Sequence, residues 1–235
     1  MRDPSSANAA RLLLLFDVDN TLLDNDRIAA DLREYLTQEV GHGRQEQYWR
    51  IFEDLRAELG YADYLGALQR YRIQHPREPH LLAISSYLVN YPFADRLFPG
   101  ALDVLKHVRA FGPTVILSDG DVVFQPLKVE RSGLFEAVEG RLLIYIHKEA
   151  ELDDVERRYP AAHYVLVDDK VRILSAVKAR WGDRLTTVFP RQGHYAHESD
   201  VARYPAPDMT IDRIADLMDH DAASLLDAAR RKGIR

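Results

Sequence analysis

Five short apolar runs, spaced along the chain and separated by helical patterns, constrain this sequence more than any other feature. They are Leu12–Phe16 (within RLLLLF), Thr114–Leu117 (TVIL), Leu142–Ile146 (LLIYI), Tyr164–Val167 (YVLV) and Leu185–Phe189 (LTTVF). Unbroken runs of this length fit strands buried on both faces, as in a parallel sheet. Helical patterns fill most of the gaps. One runs from Ala101 to Phe111, with Leu102, Leu105 and Val108 on one face, and stops at Gly112-Pro113. Others span about 121–132, 149–158 and 170–181, the last closing at Gly182. Strands alternating with helices predict a doubly wound, Rossmann-like α/β core with a parallel sheet.

One stretch breaks the alternation. Residues 26–97 carry no strand pattern and read as helices, with Ile28, Leu32, Tyr35 and Leu36 on one face. Tyr48, Ile51, Phe52 and Leu55 form a second such face, and Tyr64, Leu65, Leu68 and Tyr71 a third. Leu82, Ile84 and Leu88 suggest a shorter fourth helix. Amphipathic helices must pack on each other or on a core. The economical reading is a helical subdomain (26–97) inserted into a core made of 11–25 and 98–235; helices lying directly on the sheet are the alternative. Residues 1–10 are small and polar and are expected to form a loose tail. Beyond Arg191 two further helices are expected, at about 211–219 and 221–232.

Composition removes several function classes. The chain has no cysteine, which excludes disulfides, thiolate catalysis and Cys-ligated zinc. A formal net charge of -6 argues against a nucleic-acid partner, which calls for a basic face. Runs as short as Leu12–Phe16 neither span a bilayer nor form a signal-peptide core. The expectation is a cytoplasmic protein with no nucleic-acid or membrane partner.

The residues that can carry chemistry stand where the predicted strands end. The first strand runs into FDVDNTLLDND, in which Asp17 and Asp19 are one residue apart and would point the same way along an extended chain. Ligands of open α/β sheets bind beyond the carboxyl ends of strands. Two carboxylates there repel, and they need a cation or a shared proton to coexist. A hard, oxygen-seeking ion such as Mg²⁺ is the natural partner; a pair of solvated loop acids is the alternative. Ser118-Asp119-Gly120 follows the second run and can present Oγ and backbone N–H groups to an anion, aided by a helix starting near Asp121. Taken alone, these three residues read better as a simple Asp-Gly turn with a serine cap. Lys148 follows the third run and could neutralise phosphate charge. Lys170 and Lys128 are rivals, although Lys128 falls inside a predicted helix. Asp168-Asp169 closes the fourth run, where buried acids are costly unless they bind something.

Taken in order, acidic pair, serine, lysine, acidic pair, the chain resembles a hydrolase of the haloacid dehalogenase superfamily over residues 11–190. DVDNT matches that family's DxDxT signature. The resemblance implies that Asp17 is the nucleophile that becomes an aspartyl phosphate, and that Asp19 is the general acid and then the base. It implies Mg²⁺ held by Asp17, the Asp19 carbonyl and the pair Asp168 and Asp169. It implies phosphate binding through Ser118, with Asp119, Gly120 and Thr21 around it, and charge neutralisation by Lys148. The fourth motif departs from the commoner Gly-Asp form. Asp168 stands in the glycine place, and Arg172 and Ile173 occupy the later acidic positions. Either acid could therefore be the direct ligand, with Asp169 preferred. Asp119, where asparagine is frequent, is expected to point away from the phosphate.

The true dehalogenases of this superfamily lack an acid two residues after the nucleophile, because halide leaves without a proton; Asp19 thus implies a phosphatase. The helical insert lies where the family places its type 1 cap, which closes over small substrates. The implied partner is a small phosphorylated metabolite. A non-catalytic binding module and a 2-haloacid dehalogenase are the rival readings. Tyr48, Trp49, Arg50, Tyr61, Tyr64, Arg70, Tyr71 and Arg72 are either pocket-lining or bundle core and solvated charge. His194 and His197 form a pair with no third metal ligand, on a loop that could face substrate.

Overall fold

The computed structural model describes residues 10–230; the expected tail before residue 10 and the end of the last expected helix lie outside them. Six strands form one parallel sheet in the order β3-β2-β1-β4-β5-β6. These are β1 (Ala10–Phe16), β2 (Thr114–Asp119), β3 (Leu142–Tyr145), β4 (Ala161–Val167), β5 (Leu185–Pro190) and β6 (Met209–Ile211). The five apolar runs are therefore the first five strands. Strand β6 was not expected. It has only three residues at the sheet edge, too few to leave a pattern.

Alternation along β1 divides the core into two layers. Leu12, Leu14 and Phe16 pack on one side of the sheet, Leu13 and Leu15 on the other. The first side is covered by α5 (Ala101–Val108), α6 (Phe124–Arg131), α7 (Leu134–Ala137) and α10 (Ala222–Arg230). The second is covered by α8 (Leu152–Arg158) and α9 (Val171–Trp181). Helices on both faces make the sheet doubly wound. Three local expectations need correction. The buried face of α5 is Ala101, Val104, Leu105 and Val108, with Leu102 turned out. Helix α8 is delayed by a 3-10 turn at Lys148–Ala150, and the expected helix at 211–219 is a 3-10 segment, Ile214–Asp219.

Between β1 and β2 lie α1 (Asn25–Val40), α2 (His42–Leu59), α3 (Tyr64–Gln74) and α4 (Leu81–Val89). They pack neighbour on neighbour through Ile28, Leu32, Tyr48, Phe52, Tyr71 and Ile84. Asp24 and Asp63 accept N–H bonds from Arg27 and Gly66, capping α1 and α3. Tyr64 of α3 meets Phe124 of α6 with ring centroids 5.5 Å apart, so the insert's core is continuous with that of the sheet.

Candidate active site

Strand register brings the chemistry together. Phe16 is opposite Ile116 on one side and Val167 on the other, so Asp17 emerges beside Leu117-Ser118 and Asp168-Asp169. Asp17, Asp168 and Asp169 are all buried, and one carboxylate oxygen from each lies within 4.8 Å of the others. Lys148 reaches into this cluster from the end of β3. Its Nζ is 2.5 Å from Asp17 Oδ1, 2.7 Å from Asp168 Oδ2 and 3.3 Å from the Leu117 carbonyl. Burial alone would lower the Lys148 pKa, but the charges of Asp168, Asp17 and Asp119 outweigh it and hold the ammonium above its usual range.

Asp169 is the member the protein leaves unsatisfied. Both of its carboxylate oxygens are buried without a hydrogen-bond partner. Burial, reinforced by the charges of Asp17 and Asp168, pushes its pKa well above the ordinary carboxylate range. Asp168 is pushed up to about 6 by burial, with Lys148 opposing. Buried carboxylates with orphaned oxygens, all hard donors, suit a divalent cation such as Mg²⁺. Lys170, which follows, is also drawn in: burial lowers its pKa, and Asp17 and Asp169 raise it by more. Its Nζ lies 4.8 Å from the centre of the Tyr195 ring.

The residues expected around a phosphate turn out to be largely engaged with the protein. Thr21 donates to Asp17 Oδ2 (3.3 Å) and accepts from the Asp169 N–H (3.1 Å), bridging the two ends of the site. The Asp119 carboxylate accepts the Lys148 N–H at 2.7 Å, fixing the turn that carries the lysine. The Gly120 N–H donates to the Tyr145 carbonyl at 3.0 Å. A side chain at Gly120 would put its Cβ 2.8 Å from that of Gln125. The first N–H groups of α6 are taken by Asp121 Oδ1, at 2.8 Å from Val123 and 2.6 Å from Phe124, and so are not offered to an anion. Ser118 Oγ accepts from Gln125 Nε2 at 2.9 Å and donates to the Asp119 carbonyl at 3.3 Å. Of the residues assigned to phosphate, Thr21, Asp119 and Gly120 thus position the loops, and Ser118 is the one whose hydroxyl could rotate toward a ligand.

Asp19 does not join the carboxylate cluster. Its side chain turns to Lys128, whose Nζ lies 2.7 and 2.8 Å from its two oxygens and 3.1 Å from Asn25 Oδ1. The alternation argument for Asp17 and Asp19 fails because β1 ends at Phe16 and the chain turns; Asn20 has φ 61°. Lys128 was set aside as a helix lysine, yet it is 1% exposed and is the main partner of Asp19. Gln192, also missed, holds the turn by donating to the Thr21 carbonyl at 2.8 Å while accepting the Ile214 N–H at 2.9 Å.

The insert sits over this face. Gly60, between α2 and α3, has φ 82°, and a Cβ there would come 2.4 Å from His147 Cε1, the neighbour of Lys148. Tyr48, Trp49, Tyr64 and Tyr71 are bundle core; Arg50 and Arg72 are exposed, and Arg70 pairs with Glu58. His194 faces the start of α1: its Nδ1 is 2.6 Å from Asp26 Oδ1, and its backbone N–H donates to Asp26 Oδ2. Among the described residues no helix is long and apolar enough to cross a membrane.

Comparison with known proteins agrees with this geometry. The family model of haloacid dehalogenase-like hydrolases matches residues 12–158. A crystal structure from Burkholderia xenovorans LB400, described as a haloacid dehalogenase-like hydrolase, is 61% identical, with TM-score 0.87 over 91% of this chain and 100% of that one. YfnB of Bacillus subtilis, described as a HAD-hydrolase bound to magnesium, is 17% identical at TM-score 0.60, over 90% of this chain and 98% of its own. The L-2-haloacid dehalogenase of Xanthobacter autotrophicus with chloropropionic acid covalently bound is 16% identical at TM-score 0.59, over 89% and 97%. The last two share the fold. No curated protein sequence matches the chain.

Proposed function

The chain belongs to the haloacid dehalogenase-like hydrolases, and within that family we propose that it is a Mg²⁺-dependent phosphatase of a small phosphate monoester, acting through an aspartyl phosphate on Asp17. The observation that carries the reading is the buried trio Asp17, Asp168 and Asp169, with both Asp169 oxygens unpartnered. Asp17, Asp168 and Asp169 would hold the ion, and YfnB, which shares the fold, is described as magnesium-bound. When bound, Mg²⁺ supplies positive charge that offsets the charges of Asp17 and of a substrate phosphate.

The protein's own groups divide the remaining work. Lys148 holds Asp17 Oδ1 and adds a compact cation beside the nucleophile. Thr21 fixes the other Asp17 oxygen, which orients the carboxylate for in-line attack. Attack by an Asp17 oxygen forms a P–O bond and breaks the ester P–O bond, and Asp19 gives the leaving oxygen its proton. Asp19 then takes a proton from water as the water attacks phosphorus, which breaks the bond to Asp17 and releases phosphate. The helical insert, acting as a cap, excludes bulk water and restricts the substrate to a small molecule.

The test is phosphate release from p-nitrophenyl phosphate and a metabolite panel with Mg²⁺, beside halide release from 2-haloacids. Phosphate release that Asp19→Asn cuts sharply, with a labelled, base-labile adduct accumulating on Asp17, is the expected result. Halide release without phosphate release would overturn the proposal.

A further inference from the structure

We propose that Lys128 is a positioning residue for the acid–base step: its ammonium fixes the direction of the Asp19 carboxylate and makes that placement depend on the seating of the helical insert. This rests on the reading of Asp19 as the acid–base group.

Lys128 lies in the middle of α6 and is 1% exposed. An ammonium has three protons to give. Here they are matched by three oxygens: both of Asp19, at 2.7 and 2.8 Å, and Asn25 Oδ1, at 3.1 Å. Two-oxygen contact removes the free rotation that a lone carboxylate would keep. The ammonium also lies 5.7 Å from the centre of the Phe124 ring and 6.0 Å from that of Tyr64, within reach of cation–π attraction.

These partners come from different parts of the molecule. Asp19 is on the turn after β1 and Phe124 is on the core helix, whereas Tyr64 opens α3 within the insert and Asn25, the last core residue, opens the helix α1 that runs into the insert. The Asn25 amide donates onward to the Tyr64 hydroxyl at 3.5 Å. A buried ammonium needs its full set of partners to offset desolvation. Displacing the insert would take away Tyr64 and, through α1 and the Asn25–Tyr64 hydrogen bond, disturb Asn25, opening the shell around Lys128 and loosening Asp19. The acid–base group is therefore in place when the insert is seated over a substrate.

A buried ion pair that merely fastens the turn to α6 would look similar, so the test must separate the two. Lys128→Met keeps the packed stem and removes the charge; Lys128→Arg keeps the charge; Asn25→Ala leaves the pair but removes its link to the insert. Steady-state rates would be measured with an alkyl phosphate and with acetyl phosphate, whose leaving group needs little protonation, alongside melting temperatures. General acid–base assistance is worth about 10²–10⁴-fold. Lys128→Met is expected to lose about 10²-fold or more of kcat on the alkyl ester. KM should be nearly unchanged and the loss on acetyl phosphate at least about tenfold smaller. Asn25→Ala should carry the same leaving-group signature in weaker form, and Lys128→Arg should recover part of the rate. Lys128→Met added to Asp19→Asn should cost almost nothing more, since the two act as a unit. Losses equal for both substrates and tracking the fall in melting temperature, or additive losses in the double variant, would overturn the proposal while leaving the phosphatase reading intact. If Lys128→Met does not fold, the Asn25→Ala and Lys128→Arg rates decide by the same criterion. No phosphate release by the wild-type chain from any ester would overturn both.

Discussion

Asp169 offers a perturbation whose effects on stability and function should have opposite signs. Its two oxygens are buried and unpartnered, and one of them lies within 4.8 Å of an oxygen of Asp17 and of Asp168. At an effective dielectric of about 20, two unit charges about 4.8 Å apart repel by about 3.5 kcal/mol. Lys148, 2.5 Å from Asp17 and 2.7 Å from Asp168, cancels part of this. The protein can also escape repulsion by protonating Asp169. From an ordinary value of 3.8 that costs at most about 5 kcal/mol at about pH 7.5. Asp169→Asn keeps the shape and removes the charge, so a net gain of about 1–3 kcal/mol is expected at neutral pH in chelator. At about 2–4 °C per kcal/mol for a chain of this size, the melting temperature should rise by about 2–12 °C. The pH dependence has a definite sign. A carboxyl whose folded pKa is raised contributes most below its unfolded value, and that contribution is lost as pH rises toward the folded one. The advantage of Asp169→Asn should therefore be near zero at about pH 4 and widen toward about pH 8. Added Mg²⁺ should raise the wild-type melting temperature and leave the variant unmoved, and the variant should be inactive. The assay is differential scanning fluorimetry across pH, with chelator or Mg²⁺. A chelated variant that melts below wild type at pH 8, or one still stabilised by Mg²⁺, would refute the assignment of Asp169 as an uncompensated cation ligand.

Asp17→Asn should abolish turnover while changing the melting temperature little, because Lys148 keeps Asp168 at 2.7 Å; circular dichroism and phosphate release check this. Chelator should remove activity and Mg²⁺ restore it, whereas Ca²⁺, which takes more ligands at longer distance, should not; a titration of each ion into chelated enzyme measures the difference. Gly60→Ala should lower the melting temperature by about 2–4 °C, for about 1 kcal/mol of strain at φ 82°, with little change in kcat/KM because the exposed His147 ring can turn aside. The double variant Gly60→Ala/His147→Ala should not recover that loss, and thermal melts with kinetics on the three proteins test it.

How much of this was legible in the sequence follows from where each side chain gets its environment. Central parallel strands are buried on both faces, so LLLLF, TVIL and YVLV announce themselves without any partner. Asp17, Lys148, Asp168 and Asp169 could be grouped because each follows the end of a strand, and parallel strands deliver their carboxyl ends to one edge. Asp119 was expected to turn from the phosphate, and its carboxylate is turned to the Lys148 N–H. Lys128 was illegible for the opposite reason. Its helix pattern, FQPLKVER, gives no sign that the lysine faces inward; only the approach of Asp19, Asn25 and Tyr64 from elsewhere in the chain makes burial tolerable. The Thr21 hydroxyl bridges Asp17 and the Asp169 N–H, in keeping with a loop-supporting residue, and the Gly120 N–H is spent on the Tyr145 carbonyl, because hydrogen-bond capacity, unlike residue type, is spent according to tertiary neighbours. Strand β6 was lost to its length and edge position.

Fold alone leaves the reaction open, since structures of 16–18% identity described as L-2-haloacid dehalogenases share the architecture. The proposed reading rests on the charges in the site, not on the sheet. Asp17, Asp168 and Asp169 bring three carboxyl groups together, and Lys148 brings one ammonium into contact with them. A phosphate monoester adds roughly two more negative charges at neutral pH. Attack by a carboxylate on that dianion is opposed by repulsion throughout unless a divalent cation enters, and the orphaned oxygens of Asp169 are where the protein leaves room for one. A halide leaving group has no need of a proton, whereas an alkoxide does. A second carboxylate just after the nucleophile, fixed by a buried ammonium that spends its donors on it and on the insert, is costly to maintain for a reaction without proton transfer. On the proposed phosphatase reading, the buried acidic trio would meet the charge of a phosphate ester and Asp19 the basicity of its leaving oxygen, and the same two features would burden the displacement of halide from a singly charged acid.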